Sequence, residues 1–462
     1  MYDLVVKNGT VVASDRVFKS DICVKAGKIA AILEDSAEIS AGQVIDAEGK
    51  LVFPGVIDSH AHLNDPGFTW REDYEHGTSA AAVGGVTTIV DMPLQNEPAM
   101  TNAEIMKIKE KTVSPSAYVD YCFWGGLVDY NLHELEGLCA EGCVAFKSFI
   151  GPVSPDYVSL TIGQAREALE ILGRLGVRAG FHCEDYSIIK CSEKQQQLDG
   201  NLDWRGFLKS RPVIAELIAT RNILALAEET GAKTHICHVS HPMVAEAIRE
   251  AQISGVDVTG ETCGHYLTFT EDELLRYGSL FKCAPPLRSA EDREALWTFV
   301  ENGTLSCVGS DHSPCELSEK SAEEHGVFGA WGGISGLQSL MQVMYNEGVV
   351  KRKHSPTLLA KCLSEGPARA FGLYGKKGAI KIGFDADVVI LDPLKEWTIT
   401  PESLLYLNKI SAFNGLSGKG YPELTIVRGR VVAEGGKVSG PKGFGKLVRS
   451  SEITTSIHQK GR

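Results

Sequence analysis

The sequence predicts an α/β protein: a (β/α)8 barrel of the TIM type, with a small β-sandwich domain formed by both termini. Three observations predict it. Eight apolar strand candidates alternate with segments of helical period over about 320 residues, the pattern of a parallel sheet with crossover helices. Short runs rich in β-branched residues, punctuated by Gly, Asn and Asp, occupy both ends of the chain. No GxGxxG follows the first strand, which disfavours the alternative of an open, doubly wound sheet.

In chain order, "LVVKNGTVV", "DICVKAGKIAAI" and "QVIDAEGKLVF" form the first β-layer, and residues 1–52 are assigned to the small domain. Barrel strands are expected at 53–62, 86–92, 117–127, 143–151, 177–185, 234–240, 256–267 and 305–314. Helices are expected in most of the gaps, as in "TIGQAREALEILGRLG" and "PMVAEAIREAQISG". Their apolar residues recur at spacings of three and four, and a Gly usually follows, as helix C-termini prefer. The barrel is therefore assigned to 53–374. Residues 375–462, with "GAIKIGFDADVVILD" and "LTIVRGRVVAEGGKV", complete the sandwich and add a tail, because short hairpin sets rarely bury enough area alone.

Composition narrows the function. The 462 residues carry a formal charge of −13, which disfavours non-specific contact with nucleic acid or an anionic membrane and suits a small neutral substrate. No run of about 18 apolar residues spans a bilayer. The N-terminal stretch "MYDLVVKNGTVV" has no signal-peptide pattern, so a cytoplasmic location is expected. The 12 cysteines are scattered without a CxxC pair and read as reduced core thiols.

In barrels of this type the chemistry sits at the carboxyl ends of the strands. Strand one ends in "DSHAH", whose His60 and His62 share a face because side chains at i and i+2 do. Strand four carries Lys147, strand five His182, strand six His238 and strand eight Asp311. Singly, each has a structural explanation: a snorkelling lysine, a satisfied core histidine, a helix cap. Jointly, five strands ending in these residue types point to a metal site, and imidazole with carboxylate suits zinc and its neighbours. His235 is out of strand phase with His238 and reads as structural, whereas His265 and His312 read as lining or supporting groups. "WGGISG" (331–336) lacks the Lys-Ser/Thr of a phosphate loop and reads as a loop that lets backbone approach a substrate.

An ammonium has no lone pair, so Lys147 cannot bind a cation as it stands. Addition of CO2 to the neutral amine makes a carbamate, whose oxygens can bridge two ions. Four histidines, a carbamylated lysine and one aspartate then match a two-metal arrangement.

The HxH pair, "FKSF", His182, "CHVS" and "SDHSP" resemble the cyclic amidohydrolases of the amidohydrolase superfamily over almost the whole chain. The resemblance implies a barrel beside a β-sandwich, a homotetramer, and two divalent ions, zinc first. Their ligands would be His60, His62, carbamylated Lys147, His182, His238 and Asp311. "GTSAAAVGGVTTIVDMPL", "ETCGHYL" and "KCAPPLR" look most like the allantoinase branch, with hydantoinases and dihydropyrimidinases next. The implied reaction is hydrolysis of a cyclic amide or ureide C–N bond, allantoin to allantoate, by a metal-bridging hydroxide with Asp311 as proton shuttle. The competing class is a barrel of this family that serves as a non-catalytic scaffold, which would be expected to have lost some of the six ligands.

Two departures bear on substrate. The chain reads "FTWREDYEHG" where allantoinases carry an Arg-Thr-Glu-Trp-Glu-Gly-Phe-like run, and it has Gln95 where they have Asn. Asn64 stands where the dihydroorotase branch typically has an Arg to pair with a substrate carboxylate. Asn64, Gln95, Cys283 and Ser313 are the expected substrate-binding residues, all uncharged, and they suit a neutral amide-rich ring.

Overall fold

The computed structural model describes residues 1–34, 39–151, 153 and 157–450; the end of the C-terminal tail, 451–462, lies outside the described residues. Eight parallel strands form the central sheet and follow one another in chain order: Val56–Ala61, Val86–Asp91, Asp120–Gly126, Ala145–Ile150, Arg178–Cys183, Thr234–Ile236, Val258–Cys263 and Leu305–Gly309. Nearly all their residues are buried, as expected of parallel strands covered on both faces. The sheet is nearly closed. Just past its two ends, His62 N donates to His312 O at 2.8 Å, and Ser310 N donates to the Asp58 carboxylate at 2.9 Å.

Every barrel strand is shorter than its apolar run suggests. In the run 256–267 the strand stops at Cys263, because "GHYL" turns away to begin the loop above the barrel. The crossover helices begin at side-chain caps such as Asn102, Thr161 and Ser289 and commonly end at glycine. An insertion after strand five adds helices Tyr186–Leu198 and Trp204–Ser210.

Two further mixed sheets flank the barrel. One has four strands, all N-terminal, in the order 28–33, 21–25, 2–7, 41–46. The other has seven and joins both chain ends, since Leu51–Pro54 pairs antiparallel with Val388–Leu391. Between these sheets Leu4, Val6, Val24, Val52, Val388, Ile390 and Ile426 share one apolar core. The pairing at 51–54 leads directly into barrel strand one, so it anchors the strand that carries His60 and runs into His62. Among the described residues no helix is long and apolar enough to cross a membrane.

Candidate active site

A cavity of about 300 Å³ opens at the carboxyl ends of the barrel strands. His60, His62, Lys147, His182, His238 and Asp311 all line it, so five strands deliver six side chains to one space. Strand geometry accounts for His60, Lys147 and His182, which lie within their strands. It does not account for the other end of the set. Strand six stops at Ile236 and strand eight at Gly309, yet His238 and Asp311 turn back into the cavity because their backbones adopt φ of +37° and +43°. Such left-handed conformations cost a residue with a side chain about 1–3 kcal/mol and persist where the surroundings hold them. Gln95, also at the cavity, has φ of +58°.

The ligand-type atoms fall into two groups. Asp311 Oδ1 is 3.3 Å from His60 Nε2 and 3.5 Å from His62 Nε2. On the other side His182 Nδ1 and His238 Nε2 face each other at 3.1 Å. Lys147 Nζ is buried, and its charge lowers the pKa of all four histidines, which places it among them. Burial is the larger cause of those lowered values, and it favours the neutral imidazole, the form whose lone pair a metal ligand needs. Burial pushes the Asp311 carboxyl up, but the imidazoles of His60 and His62 hold it well below its ordinary value.

The residues fit a divalent ion. His60, His62 and Asp311 offer three ligand atoms within 4.8 Å of one another. Lys147 Nζ, His62 Nδ1 and His238 Nδ1 are buried without a hydrogen-bond partner among the described residues. A second buried cluster, Asp120, Asp385 and Asp387, is already filled by the Lys377 ammonium.

Carboxylates behind the histidines set their orientation. Glu261, in strand seven, accepts from His60 Nδ1 at 2.5 Å and from Ser59 Oγ at 2.7 Å, and lies 3.4 Å from His235 Nε2. Burial alone would raise its carboxyl, but His60 and His235 hold it well below the usual range. Glu184 accepts from His182 Nε2 at 2.9 Å and pairs with Arg211. Each contact leaves the opposite ring nitrogen facing the cavity, the arrangement metal-binding histidines use. Sequence reading missed both. Glu184 lies two residues past His182 in "HCED", a signal that was available, whereas nothing local distinguishes Glu261 within its strand.

The remaining expected residues divide. Gln95 and Ser313 line the cavity; Asn64 and Cys283 do not. Asn64 is buried behind Gln95, donating to its backbone O at 3.2 Å and its Oε1 at 3.1 Å, and Ala284 takes the lining position next to Cys283. His265 is buried beside Asp311, and His312 packs on Tyr406 with its Nε2 3.4 Å from Glu72. His235 contacts Thr259 and Glu261 and does not line the cavity. Trp331 and Gly332 of "WGGISG" form part of the wall.

At the mouth, the Arg71 guanidinium stacks on Trp331 at 4.2 Å and pairs with Glu319. Asn408, from the C-terminal segment, donates to the backbone oxygens of Trp70 and Arg71 at 2.8 and 2.7 Å and so holds this loop over the barrel.

Comparison with known proteins gives a consistent picture. Residues 51–432 match the profile of the amidohydrolase family. The chain is 41% identical over 444 residues to an allantoinase of Rubrobacter xylanophilus, covering 96% of this chain and 97% of that one. It is 37% identical over 449 residues to an allantoinase of Escherichia coli, with 96% and 98% covered. The solved structure of an L-hydantoinase (dihydropyrimidinase) from Arthrobacter aurescens superposes with a TM-score of 0.95 at 37% identity, covering 97% of this chain and 100% of that one.

Proposed function

The chain belongs to the amidohydrolase family, and on that premise we propose that it hydrolyses the ring C–N bond of allantoin to give allantoate. Fold, family and metal-competent clusters together make it a catalytic member and not a scaffold. They likewise support metal-dependent hydrolysis of a cyclic amide as the reaction class. The observation that carries the reading is the convergence of six ligand-type residues on one cavity in which, among the described residues, Asp311 is the only lining carboxylate.

In this reading His60, His62, His182, His238, Asp311 and a carbamate on Lys147 hold two divalent ions, zinc first. Bound there, the ions supply Lewis-acid polarisation of the ring carbonyl and a water nucleophile of lowered pKa. The protein's own groups do the rest. Asp311 accepts the proton of the attacking water and returns it to the leaving ring nitrogen, so it ends the cycle as it began. Glu261 and Glu184 hold His60 and His182 in the orientation that keeps a lone pair toward the cavity. Because Gln95 Oε1 already accepts from Asn64, its NH2 is the group left to donate to a ring carbonyl.

Allantoin is favoured over an acidic ring by the charge at the mouth. Among the described residues Arg71 is the one guanidinium lining the cavity, and Glu319 neutralises it. Arg288 is engaged with Glu216 and Ser240 away from the lining. A substrate carboxylate would therefore meet no free guanidinium, and a neutral amide cannot replace that bidentate pair. The second reading is a hydantoinase or dihydropyrimidinase, favoured by the likeness to the L-hydantoinase fold and by Gln95 and the altered 68–76 loop. The cytoplasmic location is supported by the cysteines, all free with only Cys191 exposed, and the homotetramer by family resemblance alone.

The test is a set of initial rates with metal-loaded protein on allantoin, hydantoins, dihydrouracil and dihydroorotate. The expected order of kcat/KM is allantoin first, hydantoins and dihydrouracil lower, dihydroorotate last. A hydantoin-first order selects the second reading, and a preference for dihydroorotate overturns the charge argument.

A further inference from the structure

Two lysines beside the cavity are buried and lack any carboxylate partner among the described residues. Lys282 and Lys320 are each only 4% exposed. Lys282 Nζ donates to Phe328 O at 2.8 Å and Ala330 O at 2.5 Å. Lys320 Nζ donates to Gly333 O at 2.5 Å, Ser279 O at 3.0 Å and Lys282 O at 3.4 Å. Burial lowers the pKa of Lys282 to about 7 and that of Lys320 to about 8, the direction expected where no anion compensates. An apolar side chain of the same length would avoid this desolvation cost. What the lysines add is geometry.

Three of the five captured carbonyls belong to residues 328–333, the segment that carries Trp331 and Gly332 into the cavity wall. The other two belong to 279–282, which leads into Ala284 on the same wall. From the cavity side, the Trp331 indole N–H donates to Ser313 O at 3.1 Å. A Cβ at Gly333 would lie 2.6 Å from Ser313 Cβ, so the two strips already touch with no slack.

We propose that Lys282 and Lys320 are specificity-determining positioning residues: by holding the carbonyls of 328–333 they set the gap between Trp331–Gly332 and Ala284–Ser313, and thereby the size of ring substituent the cavity admits. The wall so held admits small neutral rings and excludes bulky apolar substituents. This rests on the reading of the cavity as a cyclic-amide site.

The test compares the wild type with Lys282→Met and Lys320→Met, made separately because each lysine catches different carbonyls, so that either one that folds decides. The readouts are hydrogen exchange of 328–334, metal content, and kinetics on an unsubstituted and a benzyl-substituted cyclic amide. Expected are faster exchange at 328–334, joined in Lys320→Met by 279–283, with the rest of the chain unaltered, unchanged metal content, and KM for the small ring raised about tenfold with kcat changed less than about threefold. The preference for the small over the benzyl-substituted ring should narrow. Unchanged exchange overturns the positioning role, and faster exchange with an unmoved preference overturns the specificity role. If the wild type turns over no cyclic amide, the functional reading fails, and the exchange data still decide whether the lysines hold the wall.

Discussion

His60 and Glu261 meet inside the barrel with Nδ1 and Oε1 2.5 Å apart, both side chains buried. They lie on strands one and seven, and the contact joins the two sides of the closure: Glu261 also accepts from Ser59, the residue before His60. A carboxylate in this place fixes the imidazole tautomer, so that Nε2 keeps its lone pair toward the cavity.

Glu261→Gln should therefore weaken metal binding by about 10–100-fold, the usual worth of a carboxylate behind a metal-ligating histidine. Metal titration against a competing chelator measures it directly. Affinity equal to wild type would show that the contact is structural only.

Asp311→Asn keeps an oxygen for a metal ion but loses the ability to accept a proton. Metal content should largely survive while kcat falls by about 10²–10⁴-fold. Elemental analysis and steady-state rates on the same preparation separate the two effects; a variant within a few-fold of wild type would remove Asp311 from the proton path.

Lys147→Ala should abolish activity, with partial return on adding short-chain carboxylic acids that stand in for a carbamate. Lys147→Arg should stay inactive, because a guanidinium remains protonated and does not take up CO2 in this way. Near-normal turnover of the Arg variant would rule the carbamate out.

Glu72 supplies a pH prediction away from the ligand set. Burial raises its carboxyl from an ordinary value of 4.5 to about 8, while Oε1 accepts from Leu407 N at 3.1 Å. The folded state thus binds more protons than the unfolded chain between these values, so this group's contribution is full below pH 4.5 and is lost as pH rises through 8. The slope is at most about 1.4 kcal/mol per pH unit. Glu72→Gln, uncharged throughout, should lose less stability between pH 5 and pH 8 than wild type. Urea midpoints at the two pH values check it, and parallel losses would contradict the raised value.

Much of this molecule is legible in one dimension. Buried parallel strands are continuous apolar runs, so all eight could be read in order, and five of them ended in the residue types that line the cavity. Period 2 puts His60 and His62 on one face, and both line the cavity. Three things required the tertiary structure. Beyond a strand end direction is set by individual torsions, so the positive φ of His238 and Asp311 leaves no trace in periodicity. Whether an uncharged residue faces the cavity depends on what packs over it, which is why Gln95 and Ala284 line it while Asn64 and Cys283 stand behind. Contacts between strands far apart in sequence arise only when the barrel closes: Glu261 reaches His60 across 201 residues and Lys282 reaches Phe328 across 46. The sequence alone thus determined the order of the elements and the chemistry of the strand ends, because both follow from local residue type and period. Aim, support and cavity shape were decided by closure, which sets distances that no local pattern encodes.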